Sequence, residues 1–426
     1  MQKDIFNIKF KQVTVPDINS QSTEGKIKIS NLIELINNEI YLQEIINHFG
    51  LEDVLDDYIV IGNIDKAYKN IKYITEKYEY TNYYAFNKNV STYIQKDEDS
   101  GESEIYFLIN EPFNDDGEVV SQIIAKAEYD SVNMFYKDRE LSKHINYLKK
   151  HGYKRLLENI NQSWKTEYSQ NDRLNRRRNY RFVKDSSDKM YLRSITSDSY
   201  NEYGVSFSFV VAMLALYKAM QQDKGLNFSI TSLSLNESKI DIIVSANDSV
   251  YVEEIESFIS SSISIRNNDL GNKSISFTHT LKVTRLQNTD RHIYIFPRIK
   301  EDVNTKTTIT HRTSIGHLLA SVDSMSQLLY STNDFVATFK GFYSARTYDE
   351  LRAKIEEKII TNNSPFKNVR ELKDLFKRSA TQNINNLAKL LDLCGRAEII
   401  DMDFDLKFKL RYLISNVLLY GKNDLE

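Results

Sequence analysis

The side chains best suited to chemistry with a ligand lie in one short basic segment, residues 173–184. This segment contains no acidic residue and carries two aromatic rings among its cations. Guanidinium groups form paired hydrogen bonds with phosphate oxygens, and tyrosine and phenylalanine rings stack on unpaired bases. We therefore expect the segment to bind nucleic acid. The candidate binding residues are Arg173, Arg176, Arg177, Arg178, Arg181, Lys184, Tyr180 and Phe182.

A stretch with helical periodicity upstream adds to this positive charge. It contributes the cations Lys149, Lys150, Lys154, Arg155 and Lys165, and it also carries the aromatic ring of Trp164. Because the net charge of the whole chain is −3, no global field attracts polyanions, and a nucleic-acid site has to be a local patch. Two other interpretations stay open. In the first, the basic residues form a solvated surface that pairs with the chain's own acids. In the second, they contact an acidic protein partner.

Sequence motifs that mark common catalytic sites are missing. There is no Gly-x-x-x-x-Gly-Lys-Ser/Thr loop, no Gly-x-Gly-x-x-Gly, no His-Glu-x-x-His and no Gly-x-Ser-x-Gly. Five residues separate His311 from His317, which is the wrong spacing for one face of a helix. We therefore expect no catalytic residue, no metal ligand and no cofactor, and we interpret Cys394, in an apolar context, as a small buried hydrophobe.

Hydrophobic periodicity predicts the elements that must hold the basic segment in place. Helical spacing indicates a helix at 205–220, and two alternating runs at 228–235 and 240–246 indicate a hairpin. From about residue 314 the apolar spacing is helical to the end of the chain. We expect an α+β fold with a central, mostly antiparallel sheet, flanking helices and an all-helical C-terminal module.

A length of 426 residues is enough for two or three domains. We expect an N-terminal α/β region at 1–130, a central sheet domain with the basic segment at 131–305, and the helical module at 306–426. A single cysteine cannot form an internal disulfide, which favours a reducing, cytoplasmic location. No stretch approaches the roughly 20 apolar residues that span a bilayer, so we expect no membrane partner.

Two short motifs resemble a family of phage and plasmid proteins, the domain of unknown function numbered 932. The first motif is Arg193-Ser194-Ile195-Thr196-Ser197-Asp198-Ser199-Tyr200. In the family such a strand leads into a helix, and a later element resembles Asn268-Asp269-Leu270-Gly271. The similar region covers about residues 150–330. Family members often carry Cys-x-Asn-Gly after the second strand group, whereas this chain has Asn288 without that Cys or Gly.

The resemblance implies a mobile-element protein whose gene lies beside replication and recombination functions. Our leading hypothesis is a non-enzymatic protein that binds nucleic acid, with single-stranded DNA in recombination or replication as one ligand. A second hypothesis is an oligomeric assembly or interaction protein, either a virion component or a host defence or anti-defence factor. A third is a metal-dependent nuclease with dispersed ligands. The expected partners are nucleic acid and further copies of the same chain.

Overall fold

The fold is described from a computed structural model of the chain. The structure describes residues 15–20, 22–37, 40–96, 101–184, 189–271, 274–285, 288–296, 306–323, 325, 347–378 and 384–422. The helices are α1 Ile29–Glu34, α2 Leu42–Phe49, α3 Ile64–Lys77, α4 Ser131–Tyr136, α5 Ser142–His151, α6 Lys154–Gln170, α7 Val205–Gln222, α8 Ile315–Asp323, α9 Tyr348–Ile360, α10 Arg370–Phe376, α11 Leu387–Glu398 and α12 Phe404–Tyr420.

The strands belong to one two-stranded, one six-stranded and one seven-stranded sheet. They are β1 Lys26–Lys28, β2 Tyr58–Val60, β3 Glu79–Phe86, β4 Val90–Lys96, β5 Ser103–Asn110, β6 Gln122–Ala127, β7 Arg177–Lys184, β8 Met190–Thr196, β9 Phe228–Leu235, β10 Lys239–Ala246, β11 Val250–Val252, β12 Ser257–Asn268, β13 Ile275–Arg285, β14 Asn288–Ile295 and β15 Lys306–Ile309.

The six-stranded sheet contains most of the basic segment. Its strand order is β3, β7, β8, β6, β5, β4, and neighbours are antiparallel except β6 and β8. Side chains alternate between the two faces of a strand, so one face of β7 carries Tyr180 and Phe182 and the other carries Arg181 and Val183. Tyr180 and Phe182 share a core with residues of α4, α5 and α6. Val183 belongs to a second core, which includes α7.

The seven-stranded sheet is antiparallel, with the order β14, β13, β12, β10, β9. In addition β11 pairs with β12 and β15 pairs with β13. Helix α7 lies against this sheet, and every residue from Val205 to Leu216 is buried. A helix that is apolar on all sides is stable only when it is surrounded by protein. The expected helix and the expected hairpin, β9 with β10, are both confirmed.

Helices α11 and α12 pack on β14, α11 also contacts β13, and all four C-terminal helices α9 to α12 share one apolar core with the seven-stranded sheet. Arg411 of α12 is buried in that contact, where it donates to Glu398 and, over 2.9 Å, to Ser232 Oγ of β9. An α+β fold with antiparallel-rich sheets and C-terminal helices was expected and is confirmed. The six-stranded sheet takes strands from both sides of residue 130, because β7 and β8 pair with β3 and β6. None of the helices in the described ranges has both the length and the hydrophobicity to cross a bilayer.

Candidate nucleic-acid interface

Three residues of the basic segment are buried and cannot reach a ligand in the folded protein. Tyr180, Arg181 and Phe182 have no exposed surface. The reason is the position of β7, which has a paired strand on either side and a core on each face. The contacts with bases and phosphates that the sequence predicts for these three side chains are therefore excluded by their burial.

Arg181 belongs instead to a network of four charged groups, three of which are buried. Its guanidinium lies 2.6 Å from the Asp269 carboxylate and also pairs with Glu202. Arg193 of the adjacent strand β8 contacts the same two carboxylates, at 2.8 Å from Glu202 and 3.0 Å from Asp269. Two positive and two negative charges thus balance each other, with Arg181, Arg193 and Asp269 buried and the Glu202 side chain 32% exposed. Tyr200 donates a further hydrogen bond to Asp269 over 3.0 Å.

The charge state of Asp269 follows from its surroundings. Burial acts to raise the pKa of this carboxyl, but Arg181 and Arg193 outweigh burial and hold the pKa at about 2. Asp269 is therefore ionised at neutral pH. Because Asp269 lies just after β12 and both arginines lie in the six-stranded sheet, the network joins the two large sheets.

The two motifs that carry the family resemblance meet at this network. Besides the contact of Arg193 and Tyr200 with Asp269, the Ser194 hydroxyl donates to the Leu270 carbonyl over 2.7 Å. Gly271 has a φ of +80°, and a Cβ at that position would lie 2.6 Å from the Thr196 Cγ2. A larger residue than glycine would therefore strain both the backbone and the packing.

Among the remaining cations of the segment, Arg178 and Lys184 are partly buried, and their carboxylate partners are exposed. Arg178 pairs with Asp138, and the Lys184 ammonium lies 3.4 Å from the Glu79 carboxylate. Arg177 is exposed, with its guanidinium carbon 4.8 Å from the centre of the Tyr84 ring. Ion pairs at the surface contribute about 0–1 kcal/mol, so they can exchange for a phosphate at little cost. Arg173 and Arg176 are exposed as well.

These exposed arginines follow α6 in the chain, and α5 and α6 carry further exposed cations. Residues 137–184 contain fourteen Lys and Arg and five Asp and Glu, an excess of nine positive charges in a chain whose net charge is −3. We call this surface the α5–α6 face. Its exposed cations are Lys137, Lys143, Lys150, Lys154, Arg155, Lys165, Arg173, Arg176 and Arg177.

An aromatic cluster lies in the middle of the α5–α6 face. The rings of Tyr147 and His151, one turn apart on α5, have centroids 4.4 Å apart, and the His151 ring stacks on Tyr153 at 5.7 Å. Gly152, with a φ of +66°, ends α5 and lets the chain turn into α6, which brings Tyr153 back to His151. All three rings are exposed, Tyr147 by 52% and Tyr153 by 44%. Sequence reasoning missed this cluster, although its aromatic residues stand beside Lys150 in the chain.

The sequence predicts no catalytic residue and no metal ligand. Within the described ranges, no three His, Cys, Asp or Glu side chains are grouped so that they could hold a metal ion. Cys394 is buried in the core of the C-terminal helices, and burial raises the pKa of its thiol far above the ordinary value. Comparison with known proteins gave no match to this chain, whether among protein-family models, curated proteins or solved structures.

Proposed function

We propose that this protein binds nucleic acid through the α5–α6 face. The observation that carries the proposal is that α5 and α6 carry five exposed cations, with four more in the segments that flank them, together with an exposed cluster of three aromatic rings. Clustered lysines and arginines bind the phosphate backbone, and exposed aromatic rings stack on bases without regard to sequence. Lys150 and Lys154 flank the ring cluster, so a strand whose bases stack there has cations beside its phosphates.

A role in recombination or replication on a mobile element rests on the resemblance to the phage and plasmid family. The two motifs contact each other through Arg193 and Asp269, and this contact by itself implies no activity. No family model matches the chain, and the resemblance stays a prediction. The proposed role belongs in the reducing interior of a cell, in line with the one buried cysteine, Cys394.

The proposal is tested by titrating the full chain into fluorescently labelled oligonucleotides at two salt concentrations. The triple variant Lys150→Ala, Lys154→Ala, Arg155→Ala removes three exposed cations of the face. We expect weaker binding and a flatter dependence of affinity on salt, since each lost phosphate contact lowers the log–log slope by roughly 0.7 for a single strand.

A matched control removes three exposed cations from α3, which packs on α7 and β9 away from the α5–α6 face. This control is Lys69→Ala, Lys72→Ala, Lys77→Ala. We expect its affinity and salt slope to equal those of the unchanged protein. An equal loss in both triple variants would contradict a local site, and large particles in light scattering without any nucleic acid binding would favour the assembly hypothesis.

A further inference from the structure

A groove runs between α5 and α6 beside the aromatic cluster. Its volume is about 290 Å³. The apolar walls are Leu141, Leu156, Ile160 and Trp164, and Leu156 is 51% exposed. This volume is just below the roughly 300–1,000 Å³ typical of small-molecule sites, so only a small ligand of one or two rings would fit.

The groove also carries polar groups. His144 and Asn159 line it among the apolar side chains. An asparagine amide presents a donor and an acceptor side by side, the arrangement that pairs with the edge of a base. The groove therefore combines apolar contact area with hydrogen-bonding groups, as the faces and edges of a nucleobase require.

Trp164 is held in place by its neighbours. The Arg139 guanidinium carbon lies 5.2 Å from the centre of the Trp164 ring, and the Tyr168 ring lies 5.7 Å from it. The same guanidinium lies 4.1 Å from the Phe135 ring centre. A ring fixed by such contacts offers a ligand a stacking surface without a further loss of side-chain freedom.

Groove and aromatic cluster lie along one side of α5, because His144, Tyr147 and His151 recur at helical spacing. Lys143 and Arg155 are exposed and adjoin the groove residues His144 and Leu156 in the chain. We propose that this groove binds an unpaired base of a single-stranded nucleic acid whose phosphates lie along the α5–α6 face. The inference rests on the proposed function and narrows its ligand class to unpaired strands.

Trp164 is the only tryptophan of the chain, so its fluorescence reports on the groove alone. The experiment titrates the full protein with labelled oligothymidylate, with an abasic strand of equal length and with a duplex of equal length. Anisotropy of the label measures binding to the α5–α6 face, and quenching of Trp164 measures entry into the groove. We expect oligothymidylate to quench Trp164, and the abasic strand and the duplex to bind without quenching.

Two substitutions at exposed positions test the groove without disturbing the core. Leu156→Gln removes an apolar wall, and Asn159→Leu removes the amide while keeping the side-chain size. Stacking of one base contributes about 1–3 kcal/mol, so we expect Leu156→Gln to weaken oligothymidylate binding about fivefold or more. Binding of the abasic strand should not change. The matched control Ile360→Gln, at an exposed apolar position on α9, should leave both affinities unchanged.

The outcomes separate this inference from the proposed function. Binding of oligothymidylate by anisotropy without a change in Trp164 fluorescence overturns the groove but leaves the α5–α6 face intact. Absence of binding by every strand at low salt overturns the proposed function itself. Dimerisation in light scattering that Leu156→Gln abolishes would show that a second copy of the chain occupies the groove, and it would also overturn the inference.

Discussion

The strongest structural prediction concerns Asp269, whose carboxylate balances two buried guanidinium groups. Asp269→Asn keeps the shape of the side chain and removes its charge. Arg181 and Arg193 are 0% and 1% exposed, so the lost charge cannot be replaced by water. Glu202 would then be the one carboxylate facing both arginines in the network. Breaking a buried ion pair by removing one partner costs about 3–5 kcal/mol, a large part of the 5–15 kcal/mol that stabilises a typical domain.

The assay is urea unfolding at pH 7, followed by circular dichroism. The control is Asp138→Asn, the same substitution at the partner of Arg178, another arginine of β7. The Asp138 side chain is 57% exposed, so its loss should cost less than about 1 kcal/mol. Equal free energies of unfolding for the two variants would refute the view that the network joins the sheets.

The pH dependence of this contribution has a defined sign. The folded protein holds the pKa of Asp269 at about 2, below its ordinary value of 3.8. A lowered pKa means that the ionised form is favoured by folding, so the stabilisation is complete above pH 3.8 and is lost as the pH falls through about 2. The Asp269→Asn variant should lack this part of the acid dependence.

Two further substitutions test other features of the contact between the sheets. Gly271→Ala should destabilise the protein by about 1–3 kcal/mol in urea unfolding, because the residue has a φ of +80° and its Cβ would lie 2.6 Å from a neighbouring side-chain methyl; a neutral result would contradict this packing. Burial raises the pKa of Glu237 to about 7, so the free energy of unfolding should fall as the pH rises from 4.5 to 7. Glu237→Gln should reduce this fall in the free energy of unfolding with pH. The fall that remains is expected from Glu128, because burial also raises the pKa of that residue to about 7. An unchanged dependence on pH would exclude Glu237 as its source.

The fold could be predicted where periodicity is strong and local. The helical spacing of the C-terminal region and the alternation of β9 and β10 depend on side chains only a few residues apart, and these elements are found as expected. The strands of the six-stranded sheet were harder to assign to one unit, because β3 pairs with β7 across a long stretch of intervening chain. Such pairing leaves no signal in the local sequence.

Prediction of the candidate site from the local sequence was limited in the same way. Residues 173–184 contain no acid, and local charge therefore predicted an exposed cationic segment. The acids that neutralise Arg181 come from Glu202 and Asp269, which are far away in sequence and close only in the fold. One local signal did exist: Tyr180 and Phe182 are separated by one residue, which places both rings on the same face of a strand, and alternation of aromatic and charged residues is the pattern of a strand with one buried face. That pattern argues against exposed rings at 180 and 182.

The distribution of charge explains how an acidic chain could bind a polyanion. Residues 137–184 present nine exposed cations and five exposed acids, while the rest of the chain carries an excess of twelve negative charges. If the proposed function holds, a nucleic acid should be attracted to the α5–α6 face more strongly than to the rest of the molecule. Because the attraction comes from phosphates and cations at a surface, it weakens as salt shortens the screening length, from about 30 Å at 0.01 M to about 10 Å at 0.1 M. Binding should for that reason be steeply dependent on salt, and the strand should meet the protein in one orientation, with its bases directed at Tyr147, His151 and Tyr153.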